Sequence, residues 1–220
     1  MNHTDLYAMK DEVQSELLKH IEKVVRSGFD TEIEIYNDTL LNFPPEYKID
    51  EAWLLANIST RFDQHQRESK QWERPTDFDK LAEVFDALIE ERIISLHRSG
   101  VKKADAIIDA NEITEKLEEY GFEVKGYCYY HDQDLETAVD PNIRTLYIGF
   151  DARLEGSEDG VVIGQTIVDK LRDKGFRVKW PGTITERILI ENIDWKKVPD
   201  NENWHFDRAI EKLMGDSYLT

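Results

Sequence analysis

The side chains richest in chemistry stand together at Gly126-Tyr-Cys-Tyr-Tyr-His131-Asp132-Gln133-Asp134-Leu135-Glu136, where a strand-like run ends and a helical pattern begins. Strand ends that meet helix starts gather side chains and unpaired backbone amides in one place. On one reading His131 is a base or a metal ligand, and Asp134 and Glu136 orient it or share its cation. On the other, Asp132 caps the helix, Asp134 and Glu136 favour its positive end, and His131 makes an ordinary hydrogen bond. A second imidazole, His97, closes the run Ile93 to Leu96 and is followed by Gly100, Lys102, Lys103 and Asp105. Two histidines with a carboxylate are the minimum of a metal or hydrolytic site. His97, His131, Asp134 and Asp105 would therefore serve a metal-assisted hydrolase if the two strand ends are neighbours; otherwise His97 is a turn residue.

Other candidates fail on spacing. Asp132-x-Asp134-x-Glu136 opens like a calcium loop, but Thr137 and Ile143 stand where Gly and Glu are needed. Gly160-Val-Val-Ile-Gly164-Gln165-Thr166 is one residue short of a phosphate loop, lacks its Lys, and follows Glu155, Glu158 and Asp159. The single thiol, Cys128, can form no internal disulfide, and no Cys/His quartet has zinc spacing. No cofactor is expected. His3, His20, His65 and His205 are placed on helical or terminal surface.

The elements that must position these residues emerge from periodicity. Leu6, Met9, Val13, Leu17, Ile21 and Val24 form one helical stripe that stops at Gly28. Residues 31 to 43 mix alternation with a helical period; the Thr31-x-x-Glu34 capping box favours helix, and Pro44-Pro45 close it. A helix from about Asp50 carries Leu54, Ile58 and Phe62, and Pro75 with Thr76-x-x-Asp79 then opens another carrying Phe78, Leu81, Phe85 and Leu88. Strand-like runs come next at 93–96, 122–131, 145–150, 177–180 and 187–190, with helices at about 104–120 and 160–174 between them and a last one holding Phe206, Ile210 and Leu213.

Parity sorts the strand residues onto faces. Phe122, Val124, Cys128 and Tyr130 share one side; Tyr127, Tyr129 and His131 share the other. Leu146, Ile148 and Phe150 oppose Thr145, Tyr147 and Gly149, and Ile188 with Ile190 oppose Arg187, Leu189 and Glu191. Such alternation predicts an α+β fold: a helical amino-terminal region (1–73), a sheet domain (74–197) and a carboxy-terminal helix packed on the rest (198–220). The sheet is expected to be mixed, largely antiparallel, of about five strands, with helices mainly on one face. By the same parity Cys128 faces the apolar side and reads as inert packing.

The second face, with Tyr127, Tyr129, Tyr147 and neighbouring cations, is a candidate binding surface to which Gln133 also belongs, or else a face that the amino-terminal helices cover. Acids outnumber bases 46 to 28, a net charge of −18 that repels phosphate backbones and anionic bilayers. No run of apolar residues is long enough to span a bilayer and no signal peptide is apparent, so the expected address is a reducing cytoplasm.

Trp72-x-x-Pro75-Thr76-Asp77-x-Asp79-x-Leu81, Leu96-His97-x-x-Gly100, the Tyr-His-x-Gln-Asp-Leu-Glu136 stretch, Ile163-Gly164, Lys179-Trp180-x-Gly182, Arg187-Ile188 and Asp194-Trp195 together resemble a family of bacterial proteins known only as a domain of unknown function. The similarity spans roughly residues 50 to 197 and extends toward the first helix. It departs after Gly100, where Lys102 and Ala104 replace the family's Thr and its Ser or Asp while Asp105 is kept. The resemblance implies a bacterial, cytoplasmic protein and brings no activity. The leading expectation is therefore a noncatalytic binding or regulatory protein, whose acidic surface suits a basic protein partner such as a toxin. The alternatives are the hydrolase above and single-strand nucleic-acid binding through Tyr127, Tyr129 and Tyr147.

Overall fold

A computed structural model describes residues 11–154 and 156–215. Leu6, Met9, His3 and Glu155, which figure in the expectations above, lie outside the described residues. The chain divides into two compact units, Met1–Arg74 with Lys196–Asn201, and Pro75–Trp195 with Glu202–Thr220. None of the helices is long and apolar enough to cross a membrane, among the described residues.

The first unit contains α1 (Asp11–Ser27), α2 (Glu32–Asn42), a 3-10 turn (Pro45–Tyr47) and α3 (Glu51–Ser69). The mixed pattern of residues 31–43 resolves as helix because Thr31 and Glu34 close a full capping box: Thr31 N donates to Glu34 Oε2 at 2.7 Å while Thr31 Oγ1 accepts from Glu34 N. Ile21, Val25, Ile35, Leu54 and Ile58 form its core. Gly28 ends α1 at φ +74°, and a Cβ there would lie 2.1 Å from the Lys197 carbonyl oxygen, so both the backbone angle and the space demand glycine. The same carbonyl accepts from His65 Nε2 at 2.7 Å. His65 was expected on the surface; it is 8% exposed, because residues 196–201 return to this unit and pack over it. Lys197 is buried too, its ammonium held by Asp200 at 2.9 Å and set over the Phe29 ring.

The second unit is built on a five-stranded sheet of order β1-β2-β3-β5-β4. The strands are β1 (Ile93–Leu96), β2 (Gly126–Tyr129), β3 (Thr145–Ala152), β4 (Arg177–Lys179) and β5 (Ile188–Glu191). Its helices are α4 (Asp77–Glu90), α5 (Lys103–Glu119), α6 (Asp132–Val139), α7 (Asp159–Asp173) and α8 (Arg208–Met214). The β1 and β2 pair is parallel, with α5 as the crossover, and every other pairing is antiparallel. The chain is thus α+β with a mixed, largely antiparallel sheet.

Register fixes the two faces. Cys128 pairs with Phe150, Ile148 with Ile188, and Leu146 with Ile190, which in turn faces Val178, so these side chains share one side. On that side α4 sets Phe85 against His97 and Tyr130, and α7 brings Gly164 against the Phe150 ring. On the opposite side α5 and α8 cover β1 and β2: Ala106, Ala110, Ala209 and Ile210 pack with Ile94, Leu96, Tyr127 and Tyr129. Alanines at these positions let the helix backbones come close to the sheet. The packing of α5 and α8 does not continue over β5 and β4; α6 contacts β3, Tyr147 and Leu189 are half-buried, and Lys179 is exposed.

The second unit departs from its sequence pattern at two points. The run 122–131 is strand only from Gly126 to Tyr129, so parity cannot be carried back from Cys128. Phe122 and Val124 pack with Tyr127 and Tyr129, not with Cys128. The tyrosine face is also divided: Tyr127 and Tyr129 are 4% and 2% exposed beneath α5 and α8, and Tyr147 alone of the three stays accessible.

Candidate functional site

The motif around His131 folds as a helix start. His131 is the N-cap of α6, where Asp132 was expected; its Nδ1 lies 3.3 Å from Asp134 N, and His131 N donates to Asp134 Oδ2 at 3.3 Å. Asp132 instead meets the Arg98 guanidinium at 2.7 Å. His131 Nδ1 also lies 3.1 Å from Asp134 Oδ2. One ring nitrogen cannot accept from the amide and donate to the carboxylate at once, so the proton on Nδ1 selects between the two contacts. Both side chains are buried, His131 at 6% and Asp134 at 3% exposure.

The second oxygen of Asp134 reaches out to the open face. Arg187 Nη1 donates to Asp134 Oδ1 at 2.7 Å, and the guanidinium lies over the Tyr147 ring at 4.6 Å from its centroid. The cation is therefore held twice, from the side by a buried carboxylate and from below by a ring face. The floor continues inward from Tyr147 through Gly149, where the Tyr129 ring lies so close that a Cβ would meet it at 2.4 Å. That close approach sets the Tyr129 ring directly over β3 at Gly149. Outward, Tyr147 pairs with Leu189 and Leu189 with Lys179. An open groove of about 580 Å³ runs here, lined among others by Tyr147, Lys179, Trp180, Arg187 and Leu189. The Trp180 indole N–H donates to the Thr183 and Glu186 carbonyls, which fixes the ring as a wall.

The other predicted residues are dispersed. His97 follows Leu96, whose partner is Tyr129, so it points to the side of Tyr130 and away from that of Tyr129 and His131. It is 3% exposed, shares a hydrogen bond of 2.9 Å with the Tyr130 hydroxyl, and sits among the rings of Phe78, Phe85 and Trp204. Burial pushes the Tyr130 hydroxyl well above its usual range. Asp105 accepts from the Val101 and Lys102 amides at the start of α5. His97, His131 and Asp105 are thus three separate structural devices, and among the described residues no group of three or more His, Cys, Asp or Glu is gathered that could hold a metal ion. The hydrolase set does not assemble. Nor does the nucleic-acid platform, since two of its three rings are buried. Gln133 is exposed on the first turn of α6. Cys128 is fully buried, and desolvation pushes its thiol up to about 12 despite a hydrogen bond to Ser95.

Alternation places Arg187 and Leu189 opposite the apolar side but singles out neither. Parity was the available signal, and the pairing of Arg187 with Asp134, 53 residues away, carried none.

A family model described as "Domain of unknown function (DUF6891)" matches residues 10–198 of the chain, a stretch that includes β1 to β5 and leaves α8 beyond its end. No curated protein and no solved structure matches the chain.

Proposed function

The chain belongs to the DUF6891 family of unknown function, and from that premise we propose, on its own side chains, that it is a noncatalytic binding protein of the bacterial cytoplasm. Its working surface is the part of the sheet face beyond α5 and α8. The observation that carries this reading is the shelf of half-buried Tyr147 and exposed Arg187, anchored through Asp134 beyond the part of the face packed by α5 and α8. Fixed aromatic and arginine side chains are the residue types that anchor protein interfaces, because they bring large contact area and directional hydrogen bonds at little cost in lost rotamers.

The net charge of −18 supplies the approach. It attracts a partner that is basic overall and repels nucleic acid and anionic membranes, with a reach of about 8–10 Å at physiological salt. Long-range charge sets how often partners meet; the shelf sets whether they stay.

A photo-crosslinking residue at Lys179, on the rim of the shelf, tests this in cells against the same residue at Glu112 on the exposed side of α5. A discrete protein adduct from position 179 that disappears in the Tyr147→Ala background is the expected result. An adduct only from position 112 would move the interface to α5 and overturn the assignment, as would no adduct from either.

A further inference from the structure

We infer that the open half of the sheet receives an acidic, extended peptide segment of its partner. This rests on the binding-face reading above and adds the chemistry of what is bound.

The shape of the groove favours a chain over a small molecule. It is widely open to solvent, so a small molecule lying in it would keep much of its surface in water, whereas small-ligand sites bury most of theirs. An extended chain suits such a trough, because it presents a side chain to the floor at every second residue, about 6.5 Å apart.

The donors of the lining select the acidic class. Arg172, Lys179 and Arg187 line the groove with Glu186, and Lys179 and Arg187 already pair with Glu191 and Asp134, so the selection rests on the donors these cations still present rather than on an excess of charge. The Arg187 guanidinium spends Nη1 on Asp134, and among the described residues its Nε and Nη2 make no hydrogen bond to the protein. With the plane fixed by Tyr147, that remaining edge is a preorganised fork for a carboxylate. The Lys179 ammonium rests 2.7 Å from Glu191 on a side chain 68% exposed, so it can swing to a second carboxylate. Between the two cations Tyr147 and Leu189 offer apolar floor. The pattern fits a segment alternating acidic and apolar residues. A nucleic acid, which carries a phosphate charge about every 1.7 Å of duplex, would meet the repulsion of the whole molecule; a short acidic stretch on an otherwise basic protein would not.

The test uses the full chain and two labelled peptides of about a dozen residues, one alternating glutamate with leucine and the other lysine with leucine, followed by fluorescence anisotropy. The glutamate peptide is expected to bind. Arg187→Lys, which keeps a positive charge beside Asp134 but loses the fork, should weaken it about tenfold. Lys179→Gln, at an exposed position that leaves the fold intact, should weaken it several-fold. Undiminished binding in both variants overturns the inference, and so does no binding of the glutamate peptide. Preference for the lysine peptide, lost in Tyr147→Ala, overturns the acidic class while leaving the binding face in place; crosslinking from position 179 reports on that face independently.

Discussion

Asp134 Oδ1 and Arg187 Nη1 meet at 2.7 Å with unequal access to water: the carboxylate is 4% exposed and the arginine 40%. The inequality sets what each loses when its partner is removed. Asp134→Asn strands a cation that water can reach, at a cost of about 1–2 kcal/mol. Arg187→Met leaves a buried carboxylate supported only by His131, which costs about 2–4 kcal/mol. Urea unfolding of the two variants should rank Arg187→Met as the less stable; the opposite order would show that Asp134 draws its support from the α6 cap instead.

The cover over Tyr127 and Tyr129 depends on small residues. Ala110 is fully buried where α5 crosses that face. Ala110→Leu adds volume with nowhere to go and should cost about 1–3 kcal/mol. Hydrogen exchange should quicken in α5 and β2 and stay unchanged in α7.

Cys128 has no route to chemistry in the folded state. A thiol pushed up to about 12 and fully buried offers almost no thiolate at neutral pH. A disulfide reagent should label one sulfur rapidly in guanidinium and scarcely at all in native buffer. Rapid native labelling would mean that β2 opens far more readily than its packing allows.

His65 makes the first unit sensitive to acid. Burial holds its pKa below 6.5, so the unfolded chain takes up the proton first as pH falls. The stability it contributes is complete above pH 6.5 and declines below it, down to the folded value. Hydrogen exchange across α3, followed from about pH 7.5 to about pH 5, should show protection falling. His65→Gln, which can still donate to the Lys197 carbonyl, should flatten that dependence.

Much of this architecture is written locally and was legible. Thr31 with Glu34, and Thr76 with Asp79, mark helix starts because a capping box needs only residues three apart. The apolar side of the sheet emerges from alternation at 146, 148, 150, 188 and 190. Alternation also assigned Tyr147 and Arg187 to the side opposite the apolar residues, yet it says only which residues of one strand share a face, never which strands are neighbours or what lies upon them. Ala106, Ala110 and Ala209 look like ordinary helix formers until the sheet is beneath them. Arg208 with Asp86, 122 residues apart, and Arg187 with Asp134 have no signature in spacing. Strand length was the other blind spot: Phe122 and Val124 continue the alternation of β2 without belonging to it, so the faces assigned to them were reversed.

Because Lys196–Asn201 sits in the first unit while Glu202–Thr220 belongs to the second, the backbone passes between the two at three separate places. No single scission can then release either as an intact piece. A fragment ending at Arg74 would forfeit the carbonyl that closes over Gly28 and anchors His65. One ending at Trp195 would strip α8 from Tyr127 and Tyr129. Split-protein reporters, limited digestion and shortened expression clones must therefore treat the molecule as a woven pair, and a stable product from a lone cut would show that the weave can be undone.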